Sequence, residues 1–121
     1  MEKKYLIFVF IGEFGYEIMN WHGLIRKLKN TCDNYRYIIC GRTGLELLYP
    51  NTEHYIDISN LRYFRKSIAA SYCATNVNIS KLVNEIKACV YGKIYDLKKL
   101  SHNFIFSHEG KVINGIRFGG L

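Results

Sequence analysis

The apolar positions of the chain fall into short unbroken runs that are separated by stretches with helical spacing. Residues 5–11 form one continuous apolar run, as expected of a parallel strand that is buried on both faces. Residues 35–40 and 103–106 are predicted as two further strands, and 54–58 alternates enough to lie nearer an edge of the sheet. The pattern therefore predicts a mainly parallel sheet of about four strands.

Helical periodicity fills the intervals between these strands. From residue 16 to residue 30, apolar residues recur every three or four positions, which predicts a helix with one core face. A longer interval ends in a predicted helix over 81–91, with Ser80 as its N-cap. Shorter helical segments are predicted at 45–49, 61–72 and 96–100. Strands that alternate with helices give right-handed β-α-β units, so the fold class is α/β, a Rossmann-like three-layer domain.

Length and composition restrict the chain to one ordered domain. It has 121 residues, of which 49% are hydrophobic and one is proline, so we expect a single domain over residues 1–121. The longest apolar run has seven residues, well short of the roughly 20 that span a bilayer. No small-residue cleavage site follows it, which argues against a signal peptide. We therefore expect a cytoplasmic protein.

Cysteine spacing argues against a metal site, and the net charge does not select one kind of partner. The chain has no C-x-x-C pair and no histidines at zinc spacing, so we expect no metal site. We expect reduced, mostly buried thiols at the four cysteines, Cys32, Cys40, Cys73 and Cys89. The net charge of +7 could attract nucleic acid, anionic lipid or a phosphorylated ligand. No block of five like charges marks one of these partners.

An acidic, glycine-bracketed loop follows the first strand. Gly12 and Gly15 enclose Glu13 at the carboxyl end of that strand, the edge at which open α/β sheets bind ligands. Neither a dinucleotide fingerprint nor a P-loop is present. Because Glu13 and Glu17 would repel a phosphate, we expect hydroxyls, an amine or a transferable proton to face this loop. A carboxylate placed against a hydroxyl can act as a general base.

The same residues resemble a known family. The run Gly-Glu-Phe-Gly-Tyr-Glu at 12–17, followed by Trp21 and Arg26, resembles the opening of bacterial glycosyltransferase-like proteins that begin G-E-F-G-[WY]-E. The order of strand, acidic loop and long helix is similar to the N-terminal, acceptor-side domain of GT-B glycosyltransferases. The resemblance implies that Glu13 is the catalytic base, with Glu17 as a second candidate.

The resemblance also implies a reaction and its partners. In the full-length enzyme, sugar would pass from a nucleotide-sugar donor to a polysaccharide or glycolipid acceptor by inverting, metal-independent transfer, with no other cofactor. Residues 111–121 hold three of the ten glycines and show neither a predicted closing helix nor a charged end, so we expect a fragment that lacks the C-terminal donor domain. The partner is then a sugar acceptor rather than nucleic acid, with peripheral contact at the inner face of the membrane as a further expectation.

Four more residues are candidate ligand contacts. His22 and Arg26 lie four positions apart on one edge of the first helix, where they would extend a pocket wall from the loop. His22 is also the other candidate base, because imidazole titrates near neutral pH. Gly41 and Arg42 open a second loop after a strand, and this guanidinium could hold an anion. Equally, Arg42 could pair with Glu13 or Glu46, which would leave Glu13 a structural role.

A second class of function stays open. The predicted helix at 61–72 interleaves Arg62, Arg65 and Lys66 with aromatic residues. Such a surface is either a solvated helix face or a contact for RNA bases or membrane headgroups. The alternatives to a glycosyltransferase domain are therefore a small basic binding module without catalysis and an inactive truncated product.

Overall fold

Four parallel strands carry the fold. The computed structural model describes residues 3–11, 17–64 and 76–119. The strands are β1 (Lys4–Val9), β2 (Tyr35–Gly41), β3 (His54–Asp57), β4 (His102–Phe106), β5 (Lys111–Ile113) and β6 (Ile116–Phe118). The helices are α1 (His22–Thr31) and α2 (Asn76–Lys93), with a π-helical turn at Glu17–Trp21 and 3-10 turns at Glu46–Leu48 and Leu97–Lys99.

The main sheet has the order β3-β2-β1-β4, and every neighbouring pair is parallel. This is an α/β, Rossmann-like arrangement, and the predicted fold class is confirmed. β3 lies at an edge, as its alternating pattern predicted. The strand order reverses between β1 and β4, so these two strands flank the topological switch point.

The central strand β1 supplies side chains to both faces of the sheet. Leu6 and Phe8 belong to one core cluster, while Tyr5, Ile7 and Val9 belong to the other. Neighbouring residues of a strand point to opposite faces, so an apolar run without alternation requires a cover on each side. That requirement explains why β1 lies inside the sheet.

α1 covers the first of these faces. Trp21, Ile25 and Leu28 are buried there, and the helix shares this face with the β5–β6 hairpin. The ring of Phe118 in β6 packs against Phe8 with a centroid distance of 4.9 Å. Phe8 also meets Trp21 edge to face at 6.0 Å, so aromatic packing joins helix, hairpin and sheet.

α2 covers the opposite face. Its residues Leu82, Ile86 and Val90 are fully buried, and Val83 is half-buried against the same cluster, so one apolar stripe of the helix faces the sheet. The predicted start of this helix is wrong, because α2 begins at Asn76 and Ser80 therefore lies inside it rather than at its N-cap. Of the predicted helix at 61–72, residues 62–64 are helical, residue 61 is a bend, and residues 65–72 lie outside the described residues.

The C-terminal segment contains two strands that were not predicted from the sequence. Lys111–Ile113 and Ile116–Phe118 form an antiparallel hairpin through Asn114 and Gly115, which both adopt positive φ angles of 50° and 80°. Asn-Gly is the strongest short hairpin signal in a sequence, because a type I′ turn needs two such residues. The two three-residue strands are too short to show a period of their own.

The thiols are partly buried. Cys32, Cys40 and Cys89 are free, and Cys40 is fully buried while the other two are half-buried. Burial raises the pKa of the Cys40 thiol well above its usual value. Cys73 lies outside the described residues.

Replacement of Gly119 by Ala should destabilise the fold strongly. Gly119 has φ +74°, and a Cβ atom there would lie 1.9 Å from the backbone oxygen of Ser107. We expect Gly119→Ala to lower the free energy of unfolding by about 3 kcal/mol or more, because strain and steric overlap act together. Urea denaturation measures the change.

Gly115→Ala is the matched control. Gly115 has a similar φ of +80°, but a Cβ atom would meet open space, so only backbone strain of about 1 kcal/mol is expected. Equal losses in the two variants would contradict the close packing of the hairpin end on Ser107.

Candidate functional site

At the switch point between β1 and β4, one serine links the ends of the two strands. Ser107 follows β4 and is buried, and its hydroxyl accepts a hydrogen bond from the Ile11 amide at 2.7 Å. The same hydroxyl donates to the Ile11 carbonyl at 3.0 Å. The chain that leaves β1 is therefore fixed at Ile11, beside the crevice in which doubly wound sheets bind ligands.

The predicted catalytic loop begins directly after this point. Gly12, Glu13 and Gly15 lie outside the described residues. The chain is described again from Glu17, whose side chain is 1% exposed. The geometry therefore defines both ends of the segment 12–16, at Ile11 and at Glu17.

Glu17 forms a buried ion pair with Arg42. Its Oε1 atom accepts from the Arg42 guanidinium at 3.0 Å, and the Arg42 side chain is 17% exposed. Its Oε2 atom accepts from the Tyr49 hydroxyl. A buried carboxylate is stable only when paired and hydrogen-bonded, so these two partners hold Glu17 in place. Arg42 thus pairs with Glu17, a partner that was not predicted from the sequence. Of the two partners that were suggested, Glu13 lies outside the described residues.

Tyr55 supports the turn that carries Arg42. Its hydroxyl donates to the Arg42 carbonyl at 2.6 Å. A Cβ atom at position 41 would lie 2.7 Å from the Tyr55 hydroxyl and 3.5 Å from the carboxylate of Glu17. Gly41, a predicted ligand contact, therefore gives space to Tyr55, and its lack of a side chain permits the close packing.

Burial dominates the proton affinity of the two tyrosines beside Glu17, Tyr49 and Tyr55. It raises the pKa of Tyr49 far above its usual value, and the neighbouring Glu17 charge raises it further. The pKa of Tyr55 is raised by burial and, secondly, by Glu17. Both phenols are therefore neutral at physiological pH and can act as hydrogen-bond donors.

A second polar group lies at the carboxyl ends of β2 and β3. Asp57 accepts hydrogen bonds from the Thr43 hydroxyl at 2.5 Å and from the Ser59 amide at 2.9 Å. Burial alone would raise the pKa of Asp57, but the bonds from Ser59 and Thr43 outweigh it, so the pKa lies below its ordinary value. This carboxylate is ionised at neutral pH and locks the two strand ends together.

His22 and Arg26 lie where the helical spacing placed them, on one edge of α1. Together with the segment 48–51 they line a groove of about 200 Å³. Tyr49 connects this groove with the buried ion pair, because it borders the groove and also donates to Glu17.

Three residues of the site were not predicted from the sequence: Tyr49, Tyr55 and Ser107. Only Ser107 carried a recognisable signal, because it comes directly after a strand.

The two histidines beside β4 occupy different surroundings. His102 Nε2 and Nδ1 lie 2.8 Å from the Tyr91 hydroxyl and the Leu100 carbonyl, respectively. His108 follows β4 at the carboxyl edge, and burial lowers its pKa. No group of three metal-ligating side chains occurs in residues 3–11, 17–64 and 76–119.

No protein-family model, curated protein or solved structure matches the chain. Within the described parts of the chain, no helix is both long and apolar enough to cross a membrane.

Loss of the Arg42 guanidinium should lower the free energy of unfolding far more than loss of an exposed guanidinium. Arg42→Met leaves the Glu17 carboxylate buried without its cation, which we expect to cost about 3–5 kcal/mol of unfolding free energy. Arg36→Met is the control, because Arg36 pairs with Glu53 at the surface and such pairs contribute about 0–1 kcal/mol. Chemical denaturation of both variants checks this, and equal losses would contradict the ranking.

Alkaline pH should destabilise the protein through its buried tyrosines. Tyrosines of the unfolded chain ionise near pH 10, whereas burial raises the pKa of Tyr37 to about 12 and that of Tyr49 still higher. Their contribution is fully present below pH 10 and is lost as the pH rises. Tyr49→Phe should make the loss of unfolding free energy above pH 10 shallower.

The matched control is Tyr95→Phe, since Tyr95 is 81% exposed. Its removal should leave the pH dependence unchanged. The interpretation fails if both variants alter the slope equally.

Proposed function

We propose that this chain is the acceptor-side domain of a GT-B-type glycosyltransferase. With a second, donor-binding domain, it would transfer sugar from a nucleotide-sugar to a polysaccharide or glycolipid acceptor. The observation that supports this most is the fixation of both ends of the segment 12–16 at the carboxyl edge of the sheet. Ser107 holds Ile11, and Arg42 with Tyr49 holds Glu17.

The proposal assigns the catalytic base to Glu13. Glu17, the second candidate, has both carboxylate oxygens engaged by Arg42 and Tyr49 and is closed off from water. A base must reach the proton that it removes, which disfavours Glu17. Glu13 lies two residues beyond Ile11, at the start of the segment that leaves the switch point.

The proposed reaction is a single inverting displacement. The Glu13 carboxylate takes the proton of an acceptor hydroxyl while that oxygen attacks the anomeric carbon. The bond from this carbon to the donor phosphate breaks, and the nucleoside diphosphate leaves with the electron pair. This transfer needs no metal ion, and it needs no cofactor besides the nucleotide-sugar.

A glycolipid acceptor would place the domain in the cytoplasm, at the inner face of the membrane.

The basic binding module is the competing proposal, and two contacts with one ring favour it. The guanidinium of Arg62 and the ammonium of Lys81 lie 5.5 and 5.6 Å from the ring centroid of Tyr63. Such a cation and ring surface suits nucleotide bases or headgroups, but Arg65 and Lys66 lie outside the described residues.

Glycoside binding by the purified chain tests the proposal. Saturation-transfer NMR against a panel of methyl glycosides should detect weak, millimolar binding. Glu13→Gln should weaken this binding about tenfold, because a charge-assisted hydrogen bond to a hydroxyl is lost. Asp33→Asn removes the same charge from an exposed site just before β2, at the amino edge of the sheet, and should leave binding unchanged.

Two results would count against the proposal. Absence of any glycoside signal, together with binding to RNA or anionic vesicles that Arg62→Gln weakens, would favour the basic module. Equal effects of Glu13→Gln and Asp33→Asn would show that overall charge, rather than this loop, governs binding.

A further inference from the structure

The groove beside α1 is basic on one side and apolar on the other. It runs between α1 and the segment 48–51 and has a volume of about 200 Å³. Arg26 and Lys29 supply its charge, and Ile25, Leu48 and Tyr49 supply its apolar wall. None of the described residues that line it is acidic, so its positive charge has no internal counterion.

Lys29 is held at the groove by two hydrogen bonds and a ring contact. Its ammonium donates to the Pro50 carbonyl at 2.6 Å and to the Thr52 hydroxyl at 3.1 Å, and it lies 5.0 Å from the centroid of the Tyr37 ring. None of these three groups carries a negative charge, so they supply the ammonium with no counterion. Burial and, secondly, the charge of Arg26 lower the pKa of Lys29. An anion seated between the two cations would relieve this repulsion.

Arg26 is exposed and makes no hydrogen bond or ion pair with any residue of the described ranges. A guanidinium presents a planar fork of donors that matches a phosphate or carboxylate bidentately. Arg26 and Lys29 are three positions apart in α1, so both cations line the same side of the helix.

His22 adds an unsatisfied polar atom to the same wall. Its Nδ1 atom is buried and has no hydrogen-bond partner among the described residues. Its ring packs edge to face against Tyr49, with a centroid distance of 6.5 Å. Buried polar atoms are normally satisfied, so this nitrogen is an exception beside the groove.

We propose that this groove binds a phosphate monoester whose organic part is a single ring. The phosphate would lie between Arg26 and Lys29, and the ring would pack on Ile25, Leu48 and Tyr49. The volume is below the roughly 300–1,000 Å³ of drug-sized pockets, which suits a ligand of one ring and one phosphate. This site goes beyond the glycosyl acceptor role and does not depend on Glu13.

Phenyl phosphate is the probe for this site, followed by ¹H–¹⁵N NMR titration of the whole chain. We expect millimolar binding with shifts at His22, Arg26 and Lys29, and inorganic phosphate should bind more weakly because it lacks the ring. Arg26→Gln should weaken phenyl phosphate binding about tenfold. Lys27→Gln removes the same charge from the neighbouring exposed position on α1 and should leave binding unchanged.

A vesicle-binding experiment identifies the source of the phosphate. Vesicles with phosphatidic acid that bind the wild type and Lys27→Gln, but not Arg26→Gln, would assign the groove to a lipid headgroup. Phenyl phosphate binding without vesicle binding would assign it to a soluble phosphate ester. The proposal is overturned if phenyl phosphate shifts no groove residue, or if the two variants weaken its binding equally.

The glycosyl acceptor proposal can fail independently of this site. Glu13→Gln should leave phenyl phosphate binding unchanged, even where it abolishes glycoside binding.

Discussion

The fully buried carboxylate of Glu17 is the constraint on which the candidate site depends. A carboxylate shielded from water must find a counterion and a donor, and here these are Arg42 and Tyr49. The three residues come from three separate segments: the turn before α1, the end of β2 and the connection to β3. One electrostatic requirement therefore ties these segments together at the carboxyl edge of the sheet.

Two proposed ligand sites border the buried ion pair. The segment 12–16 lies between Ile11, which Ser107 holds, and Glu17. Tyr49 is also one of the residues that line the basic groove. A change in the position of Tyr49 would thus reach both the start of α1 and the groove, although the two sites would bind chemically different ligands.

The sequence predicted the sheet well because three of its four strands, β1, β2 and β4, carry runs of buried residues without alternation. Continuous apolar runs in β1 and β2 leave few alternatives, and the apolar spacing of α1 requires a helix with one core face. The start of α2 was wrong because Ser80 is a good cap by type, while the helix begins a turn earlier, at Asn76. The ion pair of Glu17 joins residues 25 positions apart, and local pattern cannot choose Arg42 over the other cations.

A double-mutant cycle on Glu17 and Arg42 tests the central claim most directly. The free energies of unfolding are measured by urea denaturation for the wild type, Glu17→Gln, Arg42→Met and the double variant. If the buried pair anchors this edge, the double variant loses less than the sum of the single losses, with a coupling of about 2 kcal/mol or more. Losses that add within about 0.5 kcal/mol would contradict the account, because the two side chains would then stabilise the fold independently.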